Sequence, residues 1–404
     1  MSASKTTPTS QSPFSAVLGD QRHDVYADLA AQGSVHQIKI PSGPEAWLVT
    51  GYTETRSLLS DPRLIKGGWR SGAQADKLPE EVARGTYTTM LHNDPPTHTR
   101  LRKLVTSAFT RRRVEKLAPR IQEMTDELLT AADDGSGPVD LISALAYPLP
   151  INVICELIGI PEQDRADFRA WTQPAASPGF YSAEEYQFAV TALLEYSRTL
   201  IGKKRREPQD DLLSDLISVR DGGDSLTEDE LTSMIFLLLL AGHETTVNLL
   251  ANGVRALLTH PDQLVLLRSR PELLESAIEE ILRHDGPVQT TLPYLTTEPV
   301  EVGDVTLPKG ATVLFALMAA NRDDGHFSSS GTLDITRDEQ THMSFGHGLH
   351  HCLGAPLART EARIAFRALL DRFPGLRLAV PAQDLMRAPS MVLNGLAELP
   401  VHLR

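Results

Sequence analysis

Cysteine is almost missing from this chain: Cys155 and Cys352 are the two among 404 residues. Far apart in sequence, they supply no disulfide framework, and in a reducing compartment each thiol is free for packing or chemistry. Positive charge is also in deficit, 39 Lys and Arg against 52 Asp and Glu for a net of −13, which opposes nucleic acid or an anionic membrane surface as the main partner. Long hydrophobic runs are missing too. The longest, Met234 to Gly242, falls far short of the roughly 20 residues that span a bilayer, and the opening residues have neither the basic nor the apolar region of a secretory signal. Residues 1–15, rich in Ser, Thr, Gln and Pro, read as a flexible tail. With no internal repeat, heptad array or low-complexity linker, composition marks no boundary within residues 16–404. These absences exclude a small disulfide module and point to a cytoplasmic protein without a membrane segment. Length alone, at about 150 residues per domain, allows two to three domains or one large one.

What is present is the composition of an ordered globular protein: 41% hydrophobic and 23% charged residues, with 27 Gly and 27 Pro that imply many loops and helix stops. Val35 to Ile40 and Trp47 to Thr50 flank Pro41-Ser42-Gly43-Pro44, which predicts a hairpin. Helical periodicity runs through Thr97 to Phe109, Val114 to Ala132 and Glu184 to Arg206. Thr227-x-x-Glu230 is a capping-box signature, and apolar residues follow to Leu258 before His260-Pro261. This predicts one helix of about thirty residues, roughly 45 Å long, crossing the whole molecule. Pro271 to His284 predicts a shorter helix, while Val300 to Val302, Val305 to Leu307 and Thr312 to Leu317 alternate like strands. After Cys352 the helical period returns through Phe373, with Pro374-Gly375 as the stop. The expected class is mainly α with minor β sheets.

The most informative segment is Phe345-Gly346-His347-Gly348-Leu349-His350-His351-Cys352-Leu353-Gly354. Its glycines let the backbone turn tightly and approach something flat and bulky, and one thiol stands at the mouth of the helix that follows. A helix N-terminus lowers a thiol pKa and favours the thiolate that binds metal. Taken alone, a single Cys is more often a small buried hydrophobe. A zinc site from His342, His347, His350, His351 and Cys352 ranks low, because structural zinc sites join separated ligand pairs.

This decapeptide resembles the haem-binding loop of the cytochromes P450, Phe-Gly-x-Gly-x-His-x-Cys-x-Gly, at every fixed position. The resemblance implies that Cys352 is the axial thiolate of a haem iron, that Phe345 packs near the sulfur, that Gly346 and Gly354 belong to the cofactor loop, and that His350 reaches a haem propionate. Ala241-Gly242-His243-Glu244-Thr245-Thr246 is similar to the family's distal helix motif. By itself it is a helix in which Gly242 costs up to about 1 kcal/mol and the threonines bond back to the previous turn. In the family's terms, Ala241 and Gly242 open room for O2 and substrate, Thr245 hydrogen-bonds the oxygen and Glu244 relays protons, while His243 reads as packing or surface.

Glu280 and Arg283, three apart on one helix face, can pair. They look like the family's structural Glu-x-x-Arg. Asp94-Pro95-Pro96-Thr97-His98-Thr99-Arg100-Leu101-Arg102 resembles the start of another family helix. His98 and Arg102 share a face there and would approach the haem propionates; the bland alternative is a solvated basic face. The likeness runs from about residue 20 to the C-terminus. It includes Ala320-Asn321-Arg322-Asp323 and Leu353-Gly354-Ala355-Pro356-Leu357-Ala358-Arg359, and is greatest to bacterial secondary-metabolism P450s such as macrolide hydroxylases. It implies a single domain over residues 16–404, with haem between the long helix and the Cys loop.

Two departures stand out. Where relatives commonly carry an Arg that pairs with a propionate, this chain has Tyr294, a phenol with no positive charge. Where relatives carry an Arg that joins Glu280 and Arg283, the chain reads Ser330-Gly331-Thr332-Leu333-Asp334, which leaves that pair without its third partner.

The function implied is a haem-thiolate monooxygenase that inserts one oxygen atom of O2 into a medium-sized, mostly apolar secondary metabolite, with haem b as cofactor. The chain has no flavin, nicotinamide or iron–sulfur signature, so NAD(P)H electrons would arrive through a separate ferredoxin and ferredoxin reductase. Arg100, Arg102, Lys103, Arg111, Arg112, Arg113 and Lys116 form a basic cluster that either docks such a donor or is a solvated face. The resemblance places pocket candidates at Leu91, Phe180, Tyr181, Leu238, Val288, Leu292, Met391 and Val392, whose apolar character suits a mostly apolar substrate. Competing expectations are aryl coupling, desaturation or peroxide-driven oxidation on the same fold, or a haem-binding sensor or carrier. A monomer is expected.

Overall fold

The computed structural model describes residues 13–15, 21–40, 45–67, 79–133, 135, 137–176, 181–221, 226–339 and 341–404. Helices dominate, and their apolar faces explain their packing. Glu228–Ala241 begins at Thr227, whose side chain accepts from the Glu230 N–H while the Glu230 carboxylate takes the Thr227 N–H, closing the expected capping box. From Leu231 through Leu239 every residue of this helix is buried. A helix apolar all round belongs in the interior, and this one packs against Glu80–Tyr87, Pro148–Ile158 and Ala183–Arg206.

The expected uninterrupted helix of about thirty residues is instead two, Glu228–Ala241 and Glu244–Thr259, parted at Gly242 and His243. Apolar periodicity continues across the break and hides it. At the break the Thr245 hydroxyl donates to the Ala241 carbonyl at 3.0 Å, offering that acceptor a side-chain partner. The second half packs on Leu274–Asp285 and on Ala355–Arg372, the helix that follows Cys352. Among the described residues, this pair of helices is the one stretch long and apolar enough to cross a membrane, and it is mostly buried within the protein.

A five-stranded sheet flanks the helices in the order Val35–Lys39, Glu45–Val49, Thr312–Phe315, Tyr294–Thr296, Leu64–Ile65. The first pair is the expected hairpin, the second pairing is parallel, and the other two are antiparallel. Val300–Val302 and Val305–Leu307 form a separate antiparallel hairpin.

The expected tail over residues 1–15 ends sooner than composition implies. Pro13–Ser15 form a short 3-10 turn, and Phe14 is buried against Tyr26 and Leu29; residues 1–12 lie outside the described residues. Cys155 is core as expected, and burial pushes its thiol up to about 12.

Candidate active site

The Cys loop is held by its own backbone. Gly346 and Gly348 have φ of +71° and +68°, a region that side chains disfavour, and a Cβ on Gly348 would stand 2.7 Å from the Leu59 carbonyl oxygen. The Cys352 N–H donates to the Phe345 carbonyl at 2.8 Å, folding the loop back on itself. Cys352 is an exposed residue whose sulfur receives the N–H groups of Gly354 and Ala355, at the start of Ala355–Arg372. The Arg359 guanidinium lies 4.5 Å over the Phe345 ring, and its Nε and Nη2 donate to Glu279 at 2.6 and 2.7 Å.

The expected lowering of the thiol pKa is not found. The protein packed around the sulfur pushes the Cys352 thiol up, and this outweighs the pull of the two N–H groups, Arg102 and Arg359. A metal ligand must be deprotonated, so coordination of a metal at this thiol would displace its proton. The zinc alternative lacks a ligand set: among the described residues no three His, Cys, Asp or Glu side chains converge to hold a metal ion.

At the helix break, Ala241 is exposed and Gly242 is half-buried. A Cβ there would lie 2.8 Å from the Ile154 side chain, so this glycine serves the close approach of Pro148–Ile158. His243 is neither surface nor mere packing. It is fully buried, its Nδ1 lies 2.8 Å from the Leu239 carbonyl, and its Nε2 lies 3.3 Å from Glu244 Oε1. A carbonyl only accepts, so Nδ1 carries a proton, while His243 Nε2 and Glu244 Oε1 have no hydrogen-bond partner among the described residues.

On the other side of the loop, basic groups gather. His98 is buried with Nδ1 lacking any partner, and its ring meets the His350 ring edge-on at 4.6 Å. Arg102 Nη2 donates to the His351 carbonyl at 2.7 Å. Tyr294 is buried with its ring 6.3 Å from that of His350. Lys66, a residue that sequence reading missed, is buried with Nζ 3.5 Å above the Tyr294 ring. Burial, then the charges of Lys66, His98, Arg102 and His92, hold the His350 imidazole down at about 3.

The Glu280–Arg283 pair is fully buried, with Arg283 Nε donating to Glu280 Oε2 at 2.7 Å and Nη2 to Oε1 at 2.8 Å. Its third partner is not missing. Arg337 takes the place, with Nε 3.2 Å from Glu280 Oε2, while the Thr332 carbonyl accepts from Arg283. The signal was present in sequence as an Arg close beyond Asp334, but on a loop whose path periodicity does not give.

The profile of the family described as Cytochrome P450 matches residues 183–385. The chain is 47% identical over 386 residues to cytochrome P450 monooxygenase PikC of Streptomyces venezuelae, covering 95% of this chain and 91% of that protein. The chain belongs to the cytochrome P450 family. A second relative, 6-deoxyerythronolide B hydroxylase of Saccharopolyspora erythraea, is 44% identical over 386 residues, 94% of this chain and 95% of that one. Among solved structures, the tirandamycin C-bound P450 monooxygenase TamI is similar with a TM-score of 0.89 at 46% identity, over 96% of this chain and 98% of that one. The architecture is thus the mainly helical P450 fold, and the protein is a haem monooxygenase that uses O2, a small-molecule substrate and redox partners.

The residues of this P450 fit haem. An exposed thiol sits in a loop with glycine backbone facing it, exposed Ala241 ends an otherwise buried helix, and a buried basic cluster includes an orphaned imidazole nitrogen. The pocket candidates are partly assembled. Val288 bridges Leu393, the Gln289 N–H donates to the Val392 carbonyl at 2.8 Å, and the Thr290 hydroxyl donates to the Met391 carbonyl at 2.8 Å, so the 288–292 and 391–393 segments run together. Leu238 is buried and Leu91 half-buried in the main core, Leu292 is half-buried, and Tyr181 is exposed. Phe180 lies outside the described residues. The basic cluster of the proximal helices is largely paired: Arg100 with Glu230, Arg113 with Asp215, Lys116 with Asp210 and Arg111 with Glu115. Lys103 and Arg112 are exposed.

Proposed function

We propose that this P450 binds haem b through Cys352 and hydroxylates a medium-sized, mostly apolar polyketide or macrolide. One observation carries the reading: a thiol at a helix mouth, clamped by the Cys352–Phe345 backbone bond, combined with an acid and an alcohol at the break of the long helix. When bound, haem supplies O2 activation and hydrogen abstraction from carbon. The protein's own groups do the rest. Cys352 ligates the iron, the N–H groups of Gly354 and Ala355 hold negative charge on sulfur, and Phe345 under Arg359 screens it. His98, Arg102 and His350 hold the cofactor carboxylates.

On the distal side, Glu244 would take a proton from solvent and relay it toward the Thr245 hydroxyl, which itself donates to the Ala241 carbonyl at 3.0 Å. Ala241 leaves space beside that hydroxyl. The 288–292 and 391–393 segments, with Leu91 and Leu238, wall the substrate and exclude water. The named targets of the relatives, 6-deoxyerythronolide B and tirandamycin C, support this substrate class. Electrons come from NAD(P)H through a ferredoxin reductase and a ferredoxin, with exposed Lys103 and Arg112 on the docking face. The protein is a cytoplasmic monomer. The decisive test is the ferrous carbon monoxide spectrum, with a strongly red-shifted Soret band expected, followed by turnover of macrolide candidates with a reconstituted ferredoxin system. A band at the position of a histidine-ligated haem removes Cys352 from the iron.

A further inference from the structure

The sheet explains how Lys66 reaches Tyr294. Leu64 pairs with Thr296 and Ile65 with Leu295, so one residue further along this antiparallel edge Lys66 comes level with Tyr294, on the same face. Lys66 Nζ donates to the carbonyls of Leu292 at 2.9 Å and Pro293 at 3.5 Å, and its remaining contact is the face of the Tyr294 ring. The acid nearby, Asp94, spends its oxygens on the backbone N–H groups of Lys66, at 2.9 and 3.1 Å, and of Gly67, at 2.7 Å. Among the described residues no carboxylate lies within ion-pairing distance of Nζ. An ammonium is seldom buried without an anion, because desolvation is repaid only by a close counter-charge. Burial holds this lysine down at about 7, only partly offset by Asp94. Around His350, which senses the Lys66 charge, stand His98, Arg102 and His92, none of them an acid.

We propose that Lys66 Nζ pairs with a carboxylate of the haem and supplies, from the neighbouring strand, the positive charge that Tyr294 lacks. Tyr294 is then a positioning residue: its ring supports the ammonium and aims it past the strand toward His350. The exchange moves the cation from one strand to the next while keeping its place on the sheet face. The proposal rests on the haem b reading, because it requires propionates.

The test measures haem release from the purified holoenzyme to excess apomyoglobin. Lys66→Met is expected to release haem about tenfold faster, the effect of one lost charged hydrogen bond. Lys66→Arg stays near the parent rate, and Lys66→Met combined with Tyr294→Arg recovers most of the loss, because the charge returns on the other strand. In protein reconstituted with iron protoporphyrin IX dimethyl ester, the parent and Lys66→Met release alike. Should Lys66→Met fail to fold, Lys66→Gln, which retains donors for the two carbonyls, must show the same acceleration. A parent-like rate for Lys66→Met, or an equal acceleration with the dimethyl ester, overturns the proposal and leaves Lys66 as a tie between strands. A pyridine haemochrome spectrum other than that of protohaem overturns the cofactor reading itself, and the proposal with it.

Discussion

Two groups of charges in this molecule are oppositely complete: Glu280 and Arg283 are fully buried, whereas the cluster at His350 mixes buried Lys66 and His98 with half-buried Arg102 and His350. Around Glu280, each of the five guanidinium donors of Arg283 has an acceptor: two carboxylate oxygens and the carbonyls of Asn321, Ser330 and Thr332. Arg337 and the Asp334 N–H then close the Glu280 side. Around His350, by contrast, Lys66, His98 and Arg102 crowd together with backbone carbonyls and rings as partners, and His98 Nδ1 has none. A network that satisfies itself is scaffold, whereas a cluster of one sign that does not is a receptor for an anion. Lys66 and His98 are buried like Glu280 and Arg283, and it is the completeness of the hydrogen bonding that tells them apart.

The largest expected effect lies on the closed side. Glu280→Ala strands two buried guanidinium groups and should cost about 3–5 kcal/mol in urea unfolding, with a similar loss in cofactor-free protein. A loss confined to the holoenzyme breaks the contrast. Next comes acid stability. Burial works to raise the Glu279 carboxyl, but hydrogen bonds and charge from Arg359 and His342 prevail and hold it at about 2 against an ordinary 4.5. Because the folded pKa is the lower one, the stabilisation is complete above about pH 4.5 and is lost as pH falls toward 2. It is on the order of 3 kcal/mol. Glu279→Gln should flatten the stability curve across that window; an unchanged slope shows the pair to be weaker than its geometry.

On the open side the effects fall on the cofactor rather than the fold. His350→Phe should leave unfolding of the cofactor-free protein within about 1 kcal/mol of the parent while releasing haem roughly tenfold faster. Loss of both together would place His350 in the scaffold. The smallest structural effect belongs to Thr245→Ala, which removes one hydroxyl bond to Ala241 and should change stability by under about 1 kcal/mol. Here the signature is coupling: NAD(P)H consumption continues, product falls and peroxide rises. Unchanged coupling removes Thr245 from proton delivery.

Legibility in sequence followed distance along the chain. The Cys loop, the Glu280–Arg283 spacing and the His98–Arg102 face are local patterns set by turn chemistry and helical period, and the folded chain keeps all three. Arg337 escaped notice because its contact with Glu280 spans 57 residues through an irregular loop. Lys66 escaped because its neighbour Tyr294 lies on another strand, joined only by sheet register. The helix break stayed hidden for a different reason: hydrophobic period reports which face is buried, not whether the backbone ladder is continuous.

By itself the sequence determined the family and marked the candidate thiol, acid and alcohol, because short motifs encode local backbone geometry and the residue types that chemistry demands. Only the tertiary structure decided that Gly242 serves packing against Ile154, that the free Cys352 thiol is raised rather than lowered, and that Arg337 and Lys66 stand where motif residues were missed. Charge acts through space. A guanidinium or ammonium does the same work from any strand or loop that the fold brings within reach, and no spacing along the chain records which one it is.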